Sequence, residues 1–149
     1  MIVDKLKKLT RFQKAIGLAI LIVMVVSVFD FFMYPKSFWL YSGMMGVIAA
    51  TVYYIFKKDK SEAVAVFAAF YIMLMTGLED LVFYIIRPLF QDFPFGIPES
   101  MPHLFTHPTI GRVAQFMGLD TVTPTALIVT VMLGAIVTYF TVTFLKNKL

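Results

Sequence analysis

An all-helical integral membrane protein is the fold class the sequence predicts. Three observations predict it. The 149-residue chain is 60% hydrophobic and only 15% charged, whereas soluble domains average about 45–50% and about 25%. Its apolar residues gather in four long runs. Each run supplies the ~20 residues a helix needs to cross a ~30 Å hydrocarbon core. The runs are too long for membrane strands and lack period-two alternation. The expected architecture is a single domain of four transmembrane helices in an antiparallel up-down bundle. A long structured outer loop joins the third helix to the fourth.

The first span covers residues 15–34 and stops at Pro35. Its basic flank resembles that of a secretory signal. The run is longer than a signal core, and no small-x-small cleavage site follows, so a retained helix is expected. The second span, 38–56, stops at Lys57-Lys58-Asp59-Lys60. The third, 63–86, is ended or kinked by Arg87-Pro88, and the fourth, 126–145, lies between Pro124 and Lys146. Short connections at Pro35-Lys36-Ser37 and at 57–62 make neighbouring spans antiparallel hairpins. The connection at 88–125 is far longer, and such loops are usually functional or disordered. Phe90, Phe93, Phe95, Leu104, Phe105, Phe116 and Met117 give it the means to dock on the bundle or the membrane surface. A short interfacial helix is expected over 108–117, ended by Gly118.

Lysine and arginine set the orientation. Lys5, Lys7, Lys8, Arg11, Lys14, Lys57, Lys58, Lys60, Lys146 and Lys148 flank one side, leaving Lys36, Arg87 and Arg112 on the other. The positive-inside rule then places both termini in the cytoplasm of a multi-pass cell-membrane protein. The net charge of +4 reads as topology plus attraction to anionic lipid. Membrane lipids are the expected partners and nucleic acid is not. Cysteine is absent, which removes disulfides, haem attachment and thiolate metal sites. Small residues recur at helical spacing as Ala126, Thr130, Gly134 and Thr138, and as Gly43, Gly46 and Ala50. Such stripes let helix backbones approach closely. Packing within the chain is the first expectation, and a homo-oligomer contact is the second.

The polar residues carry the functional signal. Glu79 and Asp80 stand side by side inside the third apolar run. Desolvating a charge there costs several kcal/mol, so intramembrane carboxylates mark candidate functional sites. At ~1.5 Å per residue, Glu79 lies ~24 Å along its span and Asp30 ~22 Å along the first. All three acids thus fall at similar depth beneath the outer loop. Asp80, Tyr84 and Arg87 share one helix face, and Glu79, Phe83 and Arg87 have comparable spacing. The two adjacent carboxylates diverge by ~100° around the helix. His103 and His107, the only histidines, follow in the loop.

Two carboxylates and two imidazoles suit Zn²⁺, Fe²⁺ or Mn²⁺. The expected metal set is therefore Glu79, Asp80, His103 and His107, and a divalent metal is the expected cofactor. The competing reading pairs Glu79 or Asp80 with Arg87 or Arg112 and makes His107 the cap of the helix beginning at Pro108. His-Leu-Phe-Thr-His lacks the glutamate of the zinc-protease pattern. No phosphate loop or serine triad is present. Three functions stay open. One is metal-dependent chemistry on a lipid or lipophilic substrate, with Glu79, Asp80 and Arg87 as catalytic groups. The second is an oligomeric ion or proton transporter using the carboxylates. The third is a non-catalytic assembly subunit.

Overall fold

A computed structural model describes residues 10–33, 38–89 and 97–148. Its regular elements are α1 Arg11–Met33, α2 Phe38–Lys57, α3 Lys60–Met75, α4 Leu78–Ile86, α5 Ile110–Phe116 and α6 Pro124–Lys148. Short 3-10 turns cover Arg87–Leu89 and Pro102–Thr106. Among the described residues the only strand-like feature is an isolated bridge between Met101 and Val122.

The helical reading holds, and the third apolar run is not one straight helix. The run at 63–86 is two helices with a break at Thr76-Gly77. Their axes, taken over Lys60–Met75 and Leu78–Leu89, differ by 65°. Among the described residues only α6, over Pro124–Leu145, is by itself long and apolar enough to cross a membrane. The bent pair passes the same test when counted as one span, and Gln13–Val28 within α1 is a shorter apolar helix.

Local chemistry sets these boundaries. The α2–α3 connection is Lys58-Asp59, with Lys58 in the left-handed region at φ 54°. Asp59 caps α3 by accepting from the Glu62 amide at 3.1 Å and the Ser61 hydroxyl at 2.9 Å. An acid at the cap and a glutamate three residues later are the capping-box pattern. At the far end of α3, the Thr76 hydroxyl donates to the carbonyls of Ile72 (2.8 Å) and Met73 (3.3 Å). Side-chain bonding of this kind competes with the helix ladder and serves the last carbonyls. Gly77 then takes φ +83°, a conformation that costs other residues about 1–2 kcal/mol.

Helix α3 is the central element, packed on by α1, α2 and α6. Val23, Val26, Ala69, Phe70, Met73 and Val142 are among the buried residues of this core. The small-residue stripes are its contact surfaces. Gly46 faces the Phe70 ring, Gly43 the Tyr71 hydroxyl and Gly134 the Thr76 side chain. A second core joins α4, the outer segment and the start of α6 through Tyr84, Met101, Leu104, Ile110, Ala114 and Leu127. The Met101 amide donates to the Val122 carbonyl at 2.8 Å and closes this segment. The described part of the loop, 97–125, therefore docks on the bundle as expected. Its short helix runs over Ile110–Phe116, followed by Gly118 at φ +74°. Phe90, Phe93 and Phe95 lie outside the described residues, as do the side chains of Asp30 and Lys36.

Candidate functional site

The break in the third apolar run builds the site. Gly77 both follows α3 and precedes the first turn of α4, leaving Glu79 and Asp80 in that first turn. The first amides of a helix have no acceptor within the helix. The partial positive charge there favours carboxylates. Two adjacent acids in an apolar run thus sit where a backbone end offsets part of their cost. Glu79 is only 7% exposed, while Asp80 is half-buried. Unequal burial of the two neighbours is what the ~100° step of a helix leads one to expect.

Tyr84 connects this turn to the outer segment. Its hydroxyl is 2.9 Å from His103 Nε2. Asp80, Arg87 and Glu79 all lie close enough to act on it electrostatically. Arg87 also stands over the Phe83 ring, 5.8 Å from its centroid, a cation–π distance. The expected faces, Asp80–Tyr84–Arg87 and Glu79–Phe83–Arg87, therefore meet at Arg87. His103 is exposed, so the Tyr84–His103 pair reaches from α4 to the surface.

Among the described residues, no group of three or more histidine, aspartate or glutamate side chains stands where it could hold a metal ion. Glu79, Asp80, His103 and His107 are not assembled into one. The reason is local: His103 turns Nε2 toward Tyr84, and His107 caps α5. Nδ1 of His107 accepts from the amides of Thr109 at 3.3 Å and Ile110 at 3.4 Å.

Burial holds the His107 imidazole below its usual pKa of 6.5. This cap requires an unprotonated Nδ1. Its contribution is intact above the unfolded value near 6.5 and is lost as pH falls through the lower folded value. Amides of residues 110–114 are expected to exchange faster at about pH 5 than at about pH 7.5, beyond the intrinsic chemistry. A His107→Asn protein, whose side chain accepts without titrating, is expected to lose that excess. Equal pH dependence in the two proteins would remove His107 from the cap.

Sequence reasoning missed three features. The helix break was announced by Gly77 followed by acids two and three residues on, a stop-and-start signature. Tyr84 was placed on the right face, but its partner His103 is 19 residues away and no local pattern specifies it. Glu62 is 3% exposed and accepts from the Tyr53 hydroxyl at 2.8 Å, although it reads as the end of a charged loop. Comparison with family models, characterised proteins and solved structures gives no match to this chain. The site is therefore argued from its own residues.

Proposed function

We propose that this is a four-span membrane protein with both termini in the cytoplasm, and that its broken third span carries protons between the outer face and the buried acids. His103 exchanges protons with outer water. A proton arriving at Nε2 passes to the Tyr84 oxygen as the tyrosine's own proton leaves toward Asp80, one turn back on α4. Glu79 is the innermost group of this outer half-path and hands the proton on toward the cytoplasmic side. Imidazole suits the port because its ring nitrogens can each hold or release a proton, and ionisable residues within spans commonly form such relays. Broken helices that end at bilayer depth occur where they serve a binding site or a cavity. The observation that carries the reading is the Thr76-Gly77 break, which puts buried Glu79 at a helix start beneath the Tyr84–His103 pair.

The exposed surface supports the membrane setting. Only 28% of the apolar window of α6 is buried. Met132, Leu133, Ile136, Val137 and Phe140 are all exposed along that helix. Leu21, Met24, Met44, Val47, Ile48 and Ile55 are exposed on α1 and α2. Soluble monomers rarely present contiguous apolar patches beyond a few hundred Å². Ten of the thirteen basic residues flank the cytoplasmic side in this topology.

Proton flux into vesicles holding the purified protein tests the function. A pH gradient is expected to relax faster than in protein-free vesicles, and His103→Ala is expected to slow it. No flux above the protein-free rate would sink the relay. Stoichiometric bound metal in the same preparation would then restore metal-dependent chemistry as the better account. Topology has its own check. Cysteines placed at Lys8 and Lys148 are expected to resist an impermeant thiol reagent in intact cells, and one at Ser100 to react. Labelling at Lys148 without labelling at Ser100 would invert the arrangement.

A further inference from the structure

Helix α5 has two unlike faces. Ile110, Gly111 and Ala114 are buried. Ile110 and Ala114 share the second core with Ala126 and Leu127 of α6. Arg112 and Phe116, four residues apart on the outward face, are both exposed. Phe116 is 94% exposed, and Met117 beside it is exposed as well.

The position of α5 says what covers that face. It packs beside the first turns of α6, whose membrane-capable stretch begins at Pro124. On the membrane reading proposed above, those turns lie at the lipid–water boundary. The exposed surface of α6 continues apolar from this point through Ile128 and Met132. A basic residue one turn from an aromatic is the pattern of helices that lie in this boundary. The arginine stem runs along apolar surface while its charge stays with polar groups, and guanidinium pairs well with phosphate.

We infer that α5 seats the outer segment in the lipid leaflet, with Phe116 and Met117 among the acyl chains and Arg112 against phospholipid phosphate. The seat bears on the proton port. Gly111 lies against the Phe105 carbonyl, so closely that a side chain there would collide with it. Phe105 belongs to the same 3-10 turn as His103. Lipid contact at α5 therefore fixes the height of His103 over Tyr84.

An indole at position 116 reads the contact directly. Phe116→Trp is made in a Trp39→Phe background, so that it carries the only tryptophan. The full chain is reconstituted in phosphatidylcholine vesicles, with and without bromine on the acyl chains near the headgroup. Blue-shifted emission, and loss of most of it with the brominated lipid, is expected. Met117→Trp in the same background is expected to behave alike. Protein that floats with the vesicles yet shows water-like, unquenched emission at both positions would overturn the seat and leave the membrane reading standing. Blue-shifted but unquenched emission, with cross-linking between copies, would give the face to a second copy and overturn the seat too. Protein that does not float with vesicles would defeat both the seat and the membrane reading.

Discussion

Glu79→Gln is expected to lower proton flux in vesicles on the order of 100-fold, a typical cost of removing a positioned proton-transfer group. The side chain is buried in the first turn of α4. Glutamine keeps its size and one acceptor oxygen, but cannot hold a proton that is later released. The change also removes a negative charge from a helix start, worth about 0.3–1 kcal/mol at an ordinary site. Stability therefore falls little while flux collapses, and that contrast separates a relay role from a structural one. Glu79→Asp retains the titrating group and should recover part of the flux. Tyr84→Phe, which deletes the hydroxyl facing His103, should fall between His103→Ala and Glu79→Gln. A Glu79→Gln protein with wild-type flux would remove Glu79 from any proton path.

Gly77→Ala is expected to cost stability as well as function. The residue has φ +83°, and a Cβ there would stand 2.7 Å from Ile110 Cδ1 and 2.9 Å from Leu127 Cδ1. The left-handed backbone costs about 1–2 kcal/mol for a residue with a side chain. Crowding a packed core adds about 1–3 kcal/mol. These two terms act on the same joint, so a total of roughly 2–4 kcal/mol is expected. The function should suffer beyond the stability loss. Relief of the strain by straightening the break would carry Glu79 and Asp80 away from the helix start and change their relation to Tyr84. Denaturant titration in detergent, paired with the flux assay on the folded fraction, measures both. Stability within about 0.5 kcal/mol of wild type, the scale of an unremarkable surface change, would show that the break does not depend on glycine.

Much of the site was legible, at the level of single elements. Glu79 and Asp80 stood out because acids in an apolar run are costly. The sharing of a face by Asp80, Tyr84 and Arg87 follows from the helical repeat alone. The end of α5 was legible because Gly118 marks it; its start, expected at Pro108, falls at Ile110, where His107 bonds the Thr109 and Ile110 amides. Whether the four expected metal ligands gather in one place is something the residue list could not contain. Histidines in one short loop can point apart, and here one ring turns to Tyr84 while the other caps α5. Asp30, placed at the same depth by helical rise, has its side chain outside the described residues.

What the sequence determined by itself was the helical class, the positions of the apolar runs, the small-residue contact faces and the docking of the outer segment. These follow from period, length and volume, which are local quantities. Gly43, Gly46 and Gly134 had to face something large or close, and Phe70, Tyr71 and Thr76 are what they face. Tertiary structure decided that the third run breaks, that Glu79 rather than Asp80 is the buried member of the acid pair, and that His103 meets Tyr84 of α4. A run of apolar residues is compatible with a straight or a broken helix. The choice depends on whether neighbours fill the space beside Gly77 and whether the freed backbone groups find partners. Ile110 and Leu127 fill that space from distant parts of the chain. The Thr76 hydroxyl takes the freed carbonyls of α3, and Glu79 and Asp80 stand in the first turn of α4, where the helix end favours negative charge.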